Sequence, residues 1–459
     1  MNPAATIQEI RGAIGAPAAD MSDRLVTGVS TDTRTIRPGS LFVALRGERF
    51  DGHQFIAEAV RAGAVGVVVE SLDDPAAAGD AAVLEVGDTL LALQRLARWH
   101  RSRLDLDVVA VTGSNGKTTT KDFTAAVLGG KFPVSATRGN LNNHIGLPLT
   151  VLSATPEHRA AVWELGMNHP GEIAPLCEIA RPRIGIITNI GTAHIEFMGS
   201  RDGIAEEKAS LARALPDDGT LVVPAGCDFV EYFRKRTHAR VLTVGNGRGL
   251  VRAEQLVFSD DGVRFTLVIE DHESAEVMLP VSGRHMVANA LLAAGAASVL
   301  GLSAGEIAAG LSDSRISDGR LTKLVRRGIG ILDDSYNANP ESMAAALETL
   351  AEMPVVNGGS RIAVLGHMAE LGGFAGEAHE KVGRLAAKHG LQVAAVGEQA
   401  LPILDGVAAA GGKGEHFPNA GEAAAWLAAT ANAGDLVLFK GSRTAAIENV
   451  LKQAFPDQD

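Results

Sequence analysis

A glycine-rich turn that carries a lysine and a threonine is the clearest chemical signal in this sequence; it runs Gly113-Ser114-Asn115-Gly116-Lys117-Thr118-Thr119. The apolar run Val108 to Val111 before it predicts a buried strand, and Lys121–Leu128 after it predicts a helix. Strand, glycine turn and helix present backbone N–H groups and the positive helix end to a phosphate chain. Lys117 would reach the outer phosphates, and the Thr118 hydroxyl would ligate Mg²⁺. The turn is shorter than the GxxxxGK[ST] pattern, and an unliganded turn is the alternative, but the sequence predicts a nucleoside triphosphate site.

Two residues at predicted strand ends could complete such a site. Glu164 ends the strand that begins near Ala161, and a carboxylate at that place can hold Mg²⁺ beside a phosphate loop. His194 follows the strand Arg183–Ile190 and could contact a metal or a phosphate, although a single histidine is more often structural. By contrast, the periodicity of the predicted helix Ile204–Leu215 makes Lys208 a solvated helix residue.

Other polar residues are ambiguous when only their types and spacing are considered. Asn140 and Asn143 lie in an amide-rich turn that could cap a loop or face a polar substrate, and Asn289 interrupts an Ala/Leu-rich helix. Near the N-terminus, the polar stretches Ser30-Thr31-Asp32-Thr33-Arg34 and Phe50-Asp51-Gly52-His53 are typical of turns that bind no ligand.

The length of 459 residues predicts about three domains, each large enough for its own core. Alternating strand and helix patterns predict a small N-terminal α/β domain over residues 1–105. A central P-loop ATPase domain with a mostly parallel sheet is predicted over 106–315, and a C-terminal Rossmann-like domain over 316–459.

Composition excludes several classes of protein and partner. The net charge of −12 argues against a nucleic-acid partner, and no apolar run reaches the length of a membrane helix. The N-terminus lacks the basic and apolar regions of an export signal, and two cysteines cannot build a disulfide framework. We therefore expect a cytoplasmic protein without membrane insertion. Separately, we expect a monomer.

Several of these motifs together resemble the Mur ligases, which are ATP-dependent amide-bond enzymes of peptidoglycan assembly. The resemblance rests on the phosphate turn, on Trp163–Met167, Thr188–His194 and Asp334–Pro340, and it extends through Leu365–Gly372, Lys440–Arg443 and the two N-terminal stretches. It implies that ATP phosphorylates the terminal carboxylate of UDP-N-acetylmuramoyl-tripeptide and that the amine of D-alanyl-D-alanine attacks the acyl phosphate.

The resemblance also implies roles for individual residues. Thr118, Glu164 and His194 would lie at Mg²⁺ ions, and Lys208 matches a family lysine that is often carbamylated and then resembles a carboxylate ligand. Lys117, His194, Lys208 and Arg320 would be catalytic, and Asn289, Arg320, Asp334 and Asn337 would contact ATP. The UDP-substrate would be held by Ser30, Thr31, Arg34, Asp51, Gly52, His53, Asn140 and Asn143. Because Arg320 and Asp334 must meet Lys117, we expect the third domain to close on the second.

Three alternatives remain open at this stage. Ligases that add the third amino acid share the N-terminal domain but usually carry a DNPR tetrapeptide, which this sequence lacks. A folylpolyglutamate-type ligase would share the middle motifs without the N-terminal ones. A P-loop kinase or nucleotide-dependent switch would need no amine substrate.

Overall fold

Three sheets flanked by helices form the layers of the molecule. The computed structural model describes residues 4–17, 23–47, 50–259, 261–356 and 358–456. Residues 1–3, part of the segment in which no export signal is predicted, lie outside the described residues. Each sheet falls within one of the predicted residue ranges, and the predicted three-part α/β architecture is confirmed. The boundaries at 105/106 and 315/316 themselves stay predictions.

The N-terminal part is built on a four-stranded parallel sheet of order β3-β4-β7-β8, with two small antiparallel pairs, β1/β2 and β5/β6. Its strands are β1 (Ala5–Thr6), β2 (Leu25–Val26), β3 (Gly28–Ser30), β4 (Ser40–Val43), β5 (Arg46–Gly47), β6 (Phe50–Asp51), β7 (Ala64–Val69) and β8 (Ala82–Glu85). Its helices are α1 (Ile7–Ile14), α2 (Ile56–Arg61) and α3 (Thr89–Ser102).

The central part contains a nine-stranded sheet of order β10-β11-β9-β12-β13-β14-β15-β16-β17, in which β16 and β17 are antiparallel to their neighbours. Its strands are β9 (Asp107–Thr112), β10 (Val134–Ala136), β11 (Ala160–Glu164), β12 (Ile184–Ile187), β13 (Thr220–Pro224), β14 (Arg240–Asn246), β15 (Val251–Ser259), β16 (Gly262–Ile269) and β17 (Glu273–Leu279). Its helices are α4 (Lys117–Gly129), α5 (Gly146–Ser153), α6 (Ile173–Ala180), α7 (Ile195–Met198), α8 (Arg201–Ala214), α9 (Val230–Arg234), α10 (Arg284–Val299) and α11 (Ala304–Ser312).

The third part contains a six-stranded sheet of order β18-β19-β23-β20-β21-β22, parallel except for the edge strand β18. Its strands are β18 (Thr322–Arg326), β19 (Ile329–Asp334), β20 (Arg361–Leu365), β21 (Gln392–Val396), β22 (Lys413–Phe417) and β23 (Leu436–Lys440). Its helices are α12 (Pro340–Glu352), α13 (Ala375–Lys388), α14 (Leu401–Ala409), α15 (Ala420–Thr430) and α16 (Glu448–Ala454).

The helix after the glycine turn begins earlier than the sequence predicts. α4 starts at Lys117 rather than Lys121, because Gly116 takes the left-handed conformation (φ 76°) at its N-cap. The preceding strand β9 is buried along Val108–Val111, as the apolar run predicts. Lys117 and Thr118 therefore lie in the first helical turn. Among the described residues, no helix combines the length and the apolar character needed to cross a membrane.

Helix α3 connects the first two parts and is anchored by a buried histidine. α3 packs on α5 and α6 of the central part. The His100 ring is fully buried, and its Nε2–H donates to the Ala154 carbonyl at 2.9 Å. Burial lowers the pKa of His100 to about 4. At a pH between this value and the ordinary histidine pKa, the ring is therefore neutral in the folded protein and protonated in the unfolded chain.

This burial makes stability depend on pH. The His100 pKa is about 4 when folded and about 6.5 when unfolded, so the unfolded state takes up more protons and stability falls as pH drops from 6.5 towards 4. His100→Gln can still donate to Ala154 but does not titrate. Urea unfolding at pH 7 and pH 5 is expected to show a loss about 2 kcal/mol larger for the wild type than for the variant. Equal losses would contradict a neutral buried His100.

Candidate active site

The phosphate loop is pressed against its neighbours at two glycines. A Cβ at Gly113 (φ 148°) would lie 1.8 Å from the Thr188 hydroxyl oxygen, and one at Gly116 would lie 2.4 Å from Asn289 Oδ1. Both positions also have positive φ, which side chains rarely adopt. Glycine is therefore required at both positions, and Asn289 packs directly on the loop.

The loop after β12 holds the phosphate loop by hydrogen bonds. The Ser114 N–H donates to the Asn189 carbonyl at 3.1 Å, and the Asn115 N–H donates to Asn189 Oδ1 at 2.8 Å. The Thr188 hydroxyl donates to the Asn115 carbonyl, and the Gly191 N–H donates to Ser114 Oγ at 2.9 Å. With these groups engaged, the first N–H groups of α4 remain to bind an anion.

Lys117 lies folded back over this loop. Its ammonium donates to the carbonyls of Gly113 at 2.8 Å and Ser114 at 3.3 Å. Burial lowers the pKa of Lys117, while the nearby Glu164 acts in the opposite direction. A cation held in this way is available to a phosphate oxygen at little conformational cost.

Glu164 and Thr118 form the donor set that suits Mg²⁺. Glu164 ends β11 opposite Val111 of β9 and is 2% exposed. Its carboxylate accepts from Thr118 Oγ1 at 2.9 Å and from Asn142 Nδ2 at 2.8 Å. Among the described residues, no three His, Cys, Asp or Glu gather as metal ligands. One hydroxyl and one carboxylate beside a phosphate site fit Mg²⁺, which takes its remaining ligands from water and substrate phosphates.

The amide-rich turn contributes one asparagine beyond the two predicted from the sequence. Asn142, whose type and spacing do not distinguish it from its neighbours, donates to Glu164. Asn143 Oδ1 accepts from the N–H groups of Ile145 at 3.2 Å and Gly146 at 2.8 Å, where α5 begins. Asn140 and Asn143 both line the cleft described below. Which asparagine holds Glu164 depends on the path of the turn, which residue types alone do not specify.

The expectation that Lys208 is solvated is wrong. Lys208 is 1% exposed on α8, and burial lowers its pKa well below the usual lysine value, with the Lys117 charge acting in the same direction. Its neighbour Glu207 accepts from the N–H groups of Gly171 and Ile173, both at 2.7 Å. Helical periodicity misplaced Lys208 because α8 packs on α6, α7, β9 and β12, and contacts with such distant segments are not contained in a local pattern.

His194 lies where the loop after β12 enters α7. It is the residue that precedes this helix and has a positive φ of 63°. Its Nδ1 atom is in close contact with the carboxylate of Glu370 from the third part. The imidazole is the main factor that lowers the pKa of Glu370.

The third part brings a second set of charged residues to the same place. Lys440, 2% exposed, donates to Asp334 Oδ2 at 2.5 Å and to the Asn337 carbonyl at 3.0 Å. Burial raises the pKa of Asp334, and the Lys440 charge opposes that rise. The Arg320 guanidinium lies over the Tyr336 ring, 4.3 Å from its centroid.

Direct contacts join the third part to the central loops. Asn339 Nδ2 donates to Asn115 Oδ1 at 2.5 Å, and the Thr192 hydroxyl donates to Glu341 at 2.9 Å. Between the two parts lies a cleft of about 540 Å³. Of the predicted site residues, its lining includes Ser114, Asn115, Gly116, Lys117, Thr118, Thr119, Asn140, Asn143, Glu164, His194, Asn289, Arg320, Asp334 and Asn337. Gly113 and Lys208 are buried and do not belong to this lining.

The predicted N-terminal residues form a separate cluster. His53 Nδ1–H donates to Asp51 at 2.7 Å, and His53 Nε2 accepts from the Glu70 N–H at 2.9 Å. Ser30 Oγ donates to the Asp32 carbonyl at 2.9 Å, and Asp32 pairs with the exposed Arg34. Thr31 lies between Ser30 and Asp32, and Gly52 lies where a Cβ would be 2.8 Å from the Leu45 carbonyl. This cluster is built as turns, with Arg34 projecting outward.

Comparisons with known proteins agree with this architecture. The chain matches three family models: "Mur ligase family, catalytic domain" over residues 25–101, "Mur ligase middle domain" over 111–297, and "Mur ligase, glutamate ligase domain" over 319–443. It is 39% identical to the UDP-N-acetylmuramoyl-tripeptide–D-alanyl-D-alanine ligase of Escherichia coli (strain K12), with 94% of each chain covered.

Solved structures are similar across almost the whole chain. A crystal structure of MurF from Acinetobacter baumannii matches with a TM-score of 0.89 at 34% identity, with 98% of each chain covered. MurF ligase from Thermotoga maritima in complex with ADP matches with a TM-score of 0.83 at 29% identity, covering 95% of this chain and 98% of that one. With the two-sheet cleft and its phosphate loop, these matches identify the chain as a member of the Mur ligase family, of the MurF type.

Proposed function

We propose that this chain is an ATP-dependent ligase that joins D-alanyl-D-alanine to UDP-N-acetylmuramoyl-tripeptide, giving UDP-N-acetylmuramoyl-pentapeptide, ADP and phosphate in peptidoglycan precursor synthesis. The observation that carries the proposal is the 39% identity over 438 residues to a ligase of that name, across all three parts of the chain. A cleft lined from two sheets supports it, because a ligase must hold a nucleotide and an acceptor together.

The first step we propose is phosphoryl transfer from ATP to the tripeptide carboxylate. Two anions must approach, so the site has to offset their repulsion and the charge that builds on the γ-phosphoryl. Lys117 and the N–H groups of the first turn of α4 are suited to that role, and Arg320 adds positive charge from the third part. Asn289, Asp334 and Asn337 would position the nucleotide.

Mg²⁺ is part of this proposal. Thr118 and Glu164 would hold one ion, and His194 would lie near a second. When bound, Mg²⁺ would neutralise negative charge on the phosphate oxygens. Lys208 would join the ligands only if carbamylated; its buried amine, with a pKa lowered well below the usual value, is more readily neutral and therefore able to react with CO₂.

The second step is attack of the dipeptide amine on the acyl phosphate, with loss of phosphate. The loops after β20 and β23 flank the cleft and are suited to place D-alanyl-D-alanine; they are tied together by His367 Nε2 and Thr444 Oγ1 at 3.0 Å. The N-terminal cluster of Ser30, Thr31, Arg34, Asp51, Gly52 and His53 would hold the UDP-sugar. We further propose a cytoplasmic monomer; the free thiols of Cys177 and Cys227 fit a reducing compartment.

Phosphate release from ATP tests the function directly. Release is expected to require both UDP-N-acetylmuramoyl-tripeptide and D-alanyl-D-alanine, and mass spectrometry is expected to find the UDP-pentapeptide. Release with a single amino acid in place of the dipeptide would indicate another ligase of the family. Release with neither substrate would indicate a nucleotide switch, and a phosphorylated product without amine would indicate a kinase.

Lys117→Ala tests the phosphate loop. Removing the cation is expected to lower phosphate release about 100-fold or more, because the charge of the transferred phosphoryl loses its compensation. The matched control is Lys381→Ala, since Lys381 lies exposed on α13 and pairs only with Glu377 in the structure described. Circular dichroism would verify folding of both variants, and retained turnover in Lys117→Ala would refute the assignment.

Closure of the third domain is a separate prediction. With an ATP analogue and UDP-tripeptide together, the radius of gyration from small-angle scattering is expected to decrease, because phosphates bound to Lys117 attract Arg320. The same measurement with each ligand alone serves as the control. An unchanged radius with both ligands would contradict closure.

A further inference from the structure

The loop after β20 meets the loop after β12 at a contact that the proposed function leaves unexplained. Glu370, in the β20 loop, brings its carboxylate against His194 Nδ1. The Glu370 carbonyl also accepts from the Glu196 N–H at 3.4 Å, and a Cβ at Gly372 would lie 3.1 Å from Glu196 Cγ. The β20 loop therefore docks on the start of α7 through backbone and side chain together.

Both residues of this contact have an unusual backbone conformation. His194 has φ 63° and Glu370 has φ 58°, in the left-handed region that residues other than glycine seldom occupy. Such conformations persist only where surrounding contacts hold them. Here they direct the two side chains at each other across the cleft.

The contact is specific to one carboxylate of the cleft. Glu164 is engaged by Thr118 and Asn142, Asp334 by Lys440, and Glu341 by Thr192. Glu172, which also lines the cleft, accepts from the N–H groups of Asn168 and His169. His194 Nδ1 is buried and, within the described part of the chain, makes no hydrogen bond of regular geometry. Glu370 is thus the anionic group that faces this nitrogen.

We propose that Glu370 is a positioning residue for His194. The inference rests on the proposed function. By accepting the proton of Nδ1, the carboxylate fixes the tautomer in which the Nε2 lone pair is free for a metal ion or for a proton-bearing ligand group. Histidines that ligate metals commonly donate their other ring N–H to a carboxylate in this way.

This arrangement links the third part to the chemistry of the central part. His194 belongs to the central sheet, whereas its orienting carboxylate arrives from the third sheet. The ring is therefore set in its ligating orientation only when the third part is docked. If a nucleotide bound while the third part was undocked, the His194 ring could be in either tautomer.

NMR signals of the histidine ring nitrogens in the full-length protein test the inference. With ¹⁵N-histidine labelling, ADP and Mg²⁺, the wild-type His194 signal, assigned with His194→Gln, is expected to show a protonated Nδ1. Glu370→Ala is expected to give a mixture of tautomers. Glu370→Gln retains an acceptor oxygen without the charge and is expected to restore the Nδ1–H form. Rescue by Gln separates positioning from a general loss of structure.

Metal affinity gives a second readout that does not depend on turnover. Titration of Mn²⁺ in the presence of ADP, followed by electron paramagnetic resonance, is expected to show about 10- to 100-fold weaker binding in Glu370→Ala and a smaller loss in Glu370→Gln. Glu377→Gln, on the exposed face of α13, is the control and is expected to match the wild type. Glu341→Gln disturbs another contact between the two parts and is expected to leave the His194 tautomer unchanged.

An unchanged His194 tautomer and unchanged Mn²⁺ affinity in Glu370→Ala would overturn the inference. So would a Glu370→Gln variant with the same mixture of tautomers as Glu370→Ala, because an acceptor oxygen at this position would then not be what orients the ring. Failure of the proposed function is distinguishable: wild-type protein would release no phosphate with both substrates, while the ring and Mn²⁺ measurements would still report on Glu370.

Discussion

The close packing of the phosphate loop is the constraint on which the site depends. Gly113 lies against Thr188 and Gly116 against Asn289, at distances that leave no space for a side chain. Asn189 accepts hydrogen bonds from two N–H groups of the loop, so the donors that remain are the N–H groups at the start of α4. A backbone held from two sides presents these donors without rearrangement when an anion binds, which is the condition for effective electrostatic stabilisation.

Strand register extends this constraint to the rest of the cleft. Val111 of β9 is opposite Glu164 of β11, and Thr112 is opposite Ile187 of β12, so three strands end at one level. In the third sheet, Lys440 is opposite both Asp334 and Leu365. In both sheets, the charged and polar residues of the site lie at or after the carboxyl ends of parallel strands. The cleft forms where these two sheet edges face each other.

The charges of the cleft are arranged for ligands that are anionic. Burial lowers the pKa of Lys117 and of Lys208, and the Lys117 charge lowers the pKa of Lys208 further. Lys440, by contrast, is paired with Asp334 in hydrogen-bond contact. A cation such as Lys117, whose charged form is disfavoured by desolvation, gains from binding a phosphate chain because the ligand supplies negative charge.

The sequence by itself determined the local features: a strand, a glycine turn and a helix at Lys117, the carboxylate at Glu164, and the α/β rhythm of three domains. Each follows from the chemistry of neighbouring residues, through backbone freedom, hydrophobic pattern and charge. Only the tertiary structure decided that Lys208 is buried, that Asn142 rather than its neighbours holds Glu164, and that Glu370 meets His194. Those outcomes depend on contacts between residues far apart in the chain, which no local periodicity encodes.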